Sequence, residues 1–193
     1  MHWIKFKHNK ITIFSYTNYK KYKMKKNLII IVLALFIFSC ENTPVVIGTT
    51  LGAEGTSSDI IAGNTDHVQI WVDYIDAHNE RNLDKIAEIN SEEWVGYAPD
   101  GNIIRGNEAH IEFLNEWFGS TANPKWTVKW MIANKGEDDE GVMQEFLTTG
   151  NDITFTDEEG NEVVENHIHD VMFNNGKIKT IYVYSKPAPS SVE

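Results

Sequence analysis

A single cysteine, Cys40, rules out a disulfide within the 193-residue chain. No acidic residue precedes Glu41, whereas eight of the 17 Lys and Arg fall before Cys40. The longest apolar run, residues 28–38, has eleven residues, short of the roughly 20 a membrane-spanning helix needs. There is no GxSxG elbow, no P-loop, no dinucleotide fingerprint and no CxxC pair. Serine-hydrolase, nucleotide-triphosphatase and thiol-redox chemistry therefore lose their usual signatures. From Cys40 onward, 28 acids face nine bases, a net charge of −19. Such a surface repels nucleic acid and anionic lipid heads, so no nucleic-acid partner is expected.

The acid-free start reads as a targeting segment. Residues 1–23 are expected to be an upstream extension, and Met24-Lys25-Lys26 a positive leader before the apolar run. Ile37-Phe38-Ser39-Cys40 resembles the lipobox of bacterial lipoproteins, which implies a signal peptide over 24–39 and a lipid on Cys40. That resemblance implies a location in the cell envelope, anchored to a bacterial membrane and facing the periplasm or the surface. Residues 40–64, rich in Gly, Thr and Ser, read as a flexible tether spanning on the order of 27 Å. A single domain over 65–187 and a loose tail over 188–193 complete the expected layout.

Within the domain, residues 66–80 form an amphipathic pattern: Val68, Trp71, Val72 and Ile75 repeat at helical spacing opposite Gln69, Asp73, Asp76 and Glu80. Asn82 is placed to cap a second, short helix. A short strand over 94–98, a Pro99-Asp100-Gly101-Asn102 turn and a return at Ile103-Ile104 come next. Gly106-Asn107 opens a third helix with His110, Phe113, Leu114 and Trp117 on one stripe. Four longer strands follow, over 125–134, 142–156, 163–173 and 177–185, the last two closed by Asn175-Gly176, a strong hairpin signal.

This order resembles the nuclear transport factor 2-like superfamily, in particular its SnoaL-like, polyketide-cyclase branch. The echoes are the opening helix with Trp71 and Tyr74, the stretch WVGYAPDGNIIRGNEAHIEFLNEWF from Trp94, and HDVMFNNGKIKTIYVY from His169. The resemblance implies an α+β fold: a strongly curved mixed or antiparallel sheet wrapped into a cone around about three helices, often with a pocket and often dimeric. It leaves activity open, since members include isomerases, dehydratases, cyclases and proteins without known catalysis.

The closing hairpin suggests where chemistry would sit. A two-residue turn at Asn175-Gly176 sets His169 opposite Tyr182 and His167 opposite Tyr184, placing Glu165, His167, His169, Thr180, Tyr182 and Tyr184 on one face. Asp170 falls on the other. Only a bulge would invert this register. If the histidine face lines the cone, His167, His169 and Tyr182 are the candidate catalytic groups, imidazole serving as proton carrier. If it lies outside, the same residues are half-buried sheet surface or a dimer contact. Trp71, Tyr74, Tyr97, Trp117, Trp126, Trp130 and Tyr184 are candidate walls for a small apolar or aromatic ligand. His167-x-His169 has metal-ligand spacing, but no second His/Cys cluster accompanies it, so neither metal nor cofactor is expected. Three readings stay open: a membrane-tethered small-molecule-binding domain, an isomerase-, dehydratase- or cyclase-type enzyme using a histidine, and a dimerising interaction module.

Overall fold

The computed structural model describes residues 43–51, 55–138 and 140–188. The chain divides into two compact units, 1–43 and 44–193, and almost all described residues belong to the second. The signal segment, Cys40 and residues 189–193 lie outside them.

Among the described residues three helices and eight strands follow one another: β1 (Val46–Leu51), β2 (Ser57–Ala62), α1 (Asp66–Glu80), α2 (Leu83–Ile89), β3 (Asn90–Tyr97), β4 (Ile103–Arg105), α3 (Asn107–Gly119), β5 (Lys125–Glu137), β6 (Met143–Thr156), β7 (Glu162–Asn174) and β8 (Lys177–Pro187). They build one mixed sheet in the order β1-β2-β5-β6-β7-β8-β3-β4. Every neighbouring pair is antiparallel except β3 with β8. The sheet is open and cone-like around the helices, the expected α+β class.

The helices form where the pattern placed them. Asn82 caps α2 by accepting from the Lys85 backbone N–H at 3.0 Å. On α1 the buried stripe is rotated slightly from the expected one. His67, Trp71, Tyr74, Ile75, Ala77 and His78 face the core, while Val68 and Val72 are half-buried at its edge. Leu147, Val171, Ile178, Ile86 and Ile153 supply the fully buried aliphatic core between sheet and helices.

Residues 46–62 correct the tether expectation. Part of the stretch read as structureless is a β-hairpin whose second strand pairs with β5 through Ile61–Lys135 and Ala62–Asn134. Its β-branched content (Val46, Ile47, Thr49, Thr50, Ile60, Ile61) favours extended pairing despite the glycines.

Two β-bulges change which side chains face inward. In β5, Val128 pairs with Asn151 and Trp130 with Gly150, leaving Lys129 as the extra residue. Trp126 and Val128 face the core before it, Met131 and Ala133 after it, and Trp130 and Ile132 turn outward. Trp130 lies flat over Gly150, where an added Cβ would come within 2.3 Å of the indole nitrogen. In β8 the turn is as expected, with positive φ at Asn175 and Gly176 and Asn174 paired to Lys177. One pair later Lys179 is the extra residue, so Met172 meets Thr180 and His169 meets Val183.

Candidate functional site

The β8 bulge decides the site. Beyond it, His167 and His169 share their face with Ile181 and Val183, whereas Tyr182 and Tyr184 point to the outer side with Asp170. The expectation that His169 stands opposite Tyr182 is thereby corrected: one inserted residue shifts the side-chain period of 2 by one position. Tyr182 stacks on Tyr97 at 4.5 Å between ring centres and is 38% exposed. Burial, together with Tyr97 and Tyr184, raises its pKa from the ordinary phenol value. Tyr184 is exposed, and Trp130 is likewise on the outer face, so neither walls the cavity.

The histidine face opens into a cavity of about 200 Å³ between the sheet and the helices. From α1 it receives Trp71, Tyr74 and His78; from β3, Trp94, Gly96 and Tyr97; from α3, His110, Leu114 and Trp117. Trp126 of β5, His167 and His169 of β7, and Ile181 and Val183 of β8 also line it, beside Ile75, Ala98, Pro99, Ile104 and Phe113, with no Asp, Glu, Lys or Arg among the lining residues. Of the seven expected wall residues, Trp71, Tyr74, Tyr97, Trp117 and Trp126 are there. Trp94, His78 and His110 join them without having been singled out as wall residues. Their signal was available: His78 continues the Trp71–Tyr74 edge, and His110 shares the Trp117 stripe.

Local contacts place these rings. Asn79 donates to the Trp126 carbonyl and accepts from its N–H, both at 2.9 Å, docking the start of β5 on the end of α1. Trp94 folds back across Gly96, where a Cβ would meet the indole at 2.3 Å, and its other side stacks on His110 at 3.8 Å. Trp71 lies 5.2 Å from His169 and 5.5 Å from Tyr74, centre to centre.

All four lining histidines are buried or nearly so, and each spends one ring nitrogen on a protein partner. His78 Nδ1 meets the Tyr74 carbonyl at 2.7 Å. His110 Nδ1 meets the Asn90 amide nitrogen at 3.0 Å. His169 Nδ1 meets the Asn151 amide nitrogen at 2.9 Å, and His167 Nε2 meets a Glu165 carboxylate oxygen at 3.1 Å. Burial pushes the pKa of His78 down to about 4, against the opposing pull of its carbonyl bond. Burial, with neighbouring histidines, pushes His110 and His169 down to about 3. These three rings are therefore neutral at pH 7. Glu165, which also accepts from the Ser185 hydroxyl, is held below the usual carboxylate range first by that bond and then by His167. Burial raises the Tyr74 phenol well above its ordinary value. Its Oη lies beside Asn90 and Trp94, near enough to act on its ionisation yet not aligned for a hydrogen bond.

Among the described residues no group of three His, Cys, Asp or Glu is arranged to hold a metal ion. Asp170 accepts from Thr148 Oγ1 at 2.7 Å on the side of β7 away from the cavity. The site therefore offers shape, flat apolar walls and hydrogen-bonding ring nitrogens, with the Glu165 carboxylate held behind His167 rather than in the lining.

A family model described as a SnoaL-like domain matches residues 71–181, which include every lining residue except Val183. Solved structures resemble the chain at low identity. One is an epoxide hydrolase/cyclase-like enzyme, SalBIII, of pyran ring formation in the polyether salinomycin: 20% identity, 63% of this chain and 92% of that one, TM-score 0.51. Another is an LEH-like epoxide hydrolase from M. tuberculosis: 15% identity, 63% and 84% coverage, TM-score 0.50. At these identities the likeness is one of fold. No curated protein matches the chain.

Proposed function

The chain belongs to the SnoaL-like domain family, and from that premise we propose that its cone takes up a small, flat, uncharged molecule. The observation carrying this reading is the lining: tryptophans, tyrosines and the neutral imidazoles of His78, His110 and His169 around about 200 Å³, without an Asp, Glu, Lys or Arg. A charged ligand would leave water for a site with no counter-ion, a transfer that costs several kcal/mol. An apolar cavity near 150 Å³ holds a benzene-sized guest, so one or two fused rings suit this one. Four tryptophans in the wall make their own fluorescence the reporter. Titration with naphthalene or 2-naphthol should quench or shift it saturably, while 2-naphthalenesulfonate should bind far more weakly. Saturable binding of the sulfonate at equal affinity would refute the reading.

A second reading, an isomerase-, dehydratase- or cyclase-type enzyme, is favoured by the Glu165–His167 carboxylate–imidazole pair at the cavity wall. Here His167 would move the proton and His169, 5.6 Å away centre to centre, would donate a hydrogen bond. Tyr182, on the outer face, takes no part. Loss of turnover in His167→Gln with binding retained would support this reading, and turnover unaffected by that change would remove it.

We further propose that Cys40 carries a lipid and presents the domain in the cell envelope, on the strength of the lipobox-like run after a short apolar segment. Replacing Cys40 by Ser should move the protein from the membrane to the soluble fraction and abolish palmitate labelling. A homodimer through the outer face, where Trp130, Ile132 and Tyr184 are exposed, is the arrangement we propose for that surface. Sedimentation of the wild type against Trp130→Glu tests it, and an unchanged monomer in both would refute it.

A further inference from the structure

The bonds around the cavity histidines fix more than their orientation. A backbone carbonyl only accepts, so the Tyr74 carbonyl requires a proton on His78 Nδ1 and leaves Nε2 a bare acceptor. The indole of Trp71 only donates, at 3.4 Å to Asn151 Oδ1. Asn151 must therefore turn its amide nitrogen to His169 Nδ1, which becomes an acceptor and puts the ring proton on Nε2. A similar chain runs through α2 and α3. The Ala87 carbonyl accepts from Asn107 Nδ2, Asn107 Oδ1 accepts from Asn90 Nδ2, and that same nitrogen meets His110 Nδ1, so His110 carries its proton on Nε2. A carboxylate likewise only accepts, so His167 Nε2 carries a proton toward Glu165, and its other ring nitrogen is Nδ1. That Nδ1 is buried without a partner, as are Tyr74 Oη and Trp94 Nε1 on the same cavity wall.

We infer that the cavity selects an uncharged, flat molecule bearing both a hydrogen-bond donor and a hydrogen-bond acceptor, such as a lactam or a hydroxyaryl ketone, and that the fixed tautomers of His78, His110 and His169 set this selectivity. The inference rests on the binding reading above and names the ligand class for the same site. His78 presents a lone pair; His110 and His169 present N–H groups. A pure acceptor leaves the lone pair unanswered, a pure donor leaves the N–H groups unanswered, and a hydrocarbon leaves both. In a dry site each unanswered polar group is costly, which makes matching selective.

Two measurements on the full chain test this. Long-range ¹H–¹⁵N spectra of histidine-labelled protein at pH 7.5 should show Nε2–H tautomers for His110 and His169 and Nδ1–H for His78; a Nδ1–H tautomer at His169 would overturn the assignment. Tryptophan fluorescence titrations should then compare 2-quinolone (donor and acceptor), N-methyl-2-quinolone (acceptor only) and naphthalene (neither). The lactam should bind at least about tenfold more tightly than either of the others. In His169→Phe, which keeps a flat ring, that advantage should shrink to about threefold or less. Equal wild-type affinity for all three probes would overturn the ligand class while leaving the binding cavity intact. No binding of any probe would remove the cavity reading itself.

Discussion

Three neutral histidines walled in by aromatic rings should make this domain acid-labile, and the size of the effect follows from their titration. In the unfolded chain each imidazole takes up its proton near pH 6.5. Folded, His78 does so at about 4 and His110 and His169 at about 3. Between these values the unfolded state binds more protons than the folded one, so stability falls as the pH is lowered and is regained as it rises. At pH 5 each ring should cost about 2 kcal/mol relative to pH 7.5, and the three together roughly 6 kcal/mol. That is a large share of the 5–15 kcal/mol typical of a domain. His67, whose pKa burial also lowers, acts in the same direction. The Glu165 carboxylate, depressed below its usual range, adds its own loss only at lower pH. Urea unfolding at pH 7.5, 6.5, 5.5 and 5.0, followed by far-ultraviolet dichroism, measures the slope directly. In His169→Phe the slope should drop by about a third, whatever that variant does to stability at pH 7.5. Stability constant to within about 1 kcal/mol from pH 7.5 to 5 would show that the rings are hydrated, and the dry cavity would be refuted.

Other outcomes follow from single contacts. Gly96→Ala drives a methyl into the Trp94 indole and should cost about 1–3 kcal/mol in urea unfolding, with weakened probe binding because the displaced ring is a cavity wall. Asn82→Ala removes the α2 cap and should cost about 1 kcal/mol without altering the affinity of any probe. Leu147→Ala empties a fully buried position in β6 and should cost about 2–5 kcal/mol. Tyr184→Ser, on the outer face, should leave binding in the cavity unchanged; a large loss of affinity would mean that β8 runs in the unbulged register.

The element order, the caps and the closing turn were legible because each is written locally: Asn82 before a short apolar period, Asn175-Gly176 between two alternating runs. The facing of two strands was not. In β5 the run Trp130-Met131-Ile132-Ala133 is apolar at every position, and in β8 Ile181-Tyr182-Val183-Tyr184 is too. Either phase of such a run buries an apolar face, so alternation could not say which half turned inward. The inserted residues Lys129 and Lys179 carry no bulge signature, neither being glycine. What settled the phase is three-dimensional: Gly150 leaves room for Trp130 outside, and the β3 partner of β8 brings Tyr97 against Tyr182. The histidines were found because they lie on β7, the strand of the hairpin without the inserted residue. Asn151 and Asn90, which set ring tautomers, were invisible, since a short amide in a strand looks the same whether it faces water or a buried imidazole.

The parallel pairing of β3 with β8 also bears on how the domain is made. The last strand of the fold lies between β7, which carries His167 and His169, and β3, which carries Trp94. Until residues 177–187 exist, β7 and β3 have no strand between them, and the pairings that join β3 to β8 span up to about ninety residues of chain. A nascent chain lacking its final strand is therefore held back from the native state. Closure of the sheet thus waits for the strand that comes last in the order of these elements.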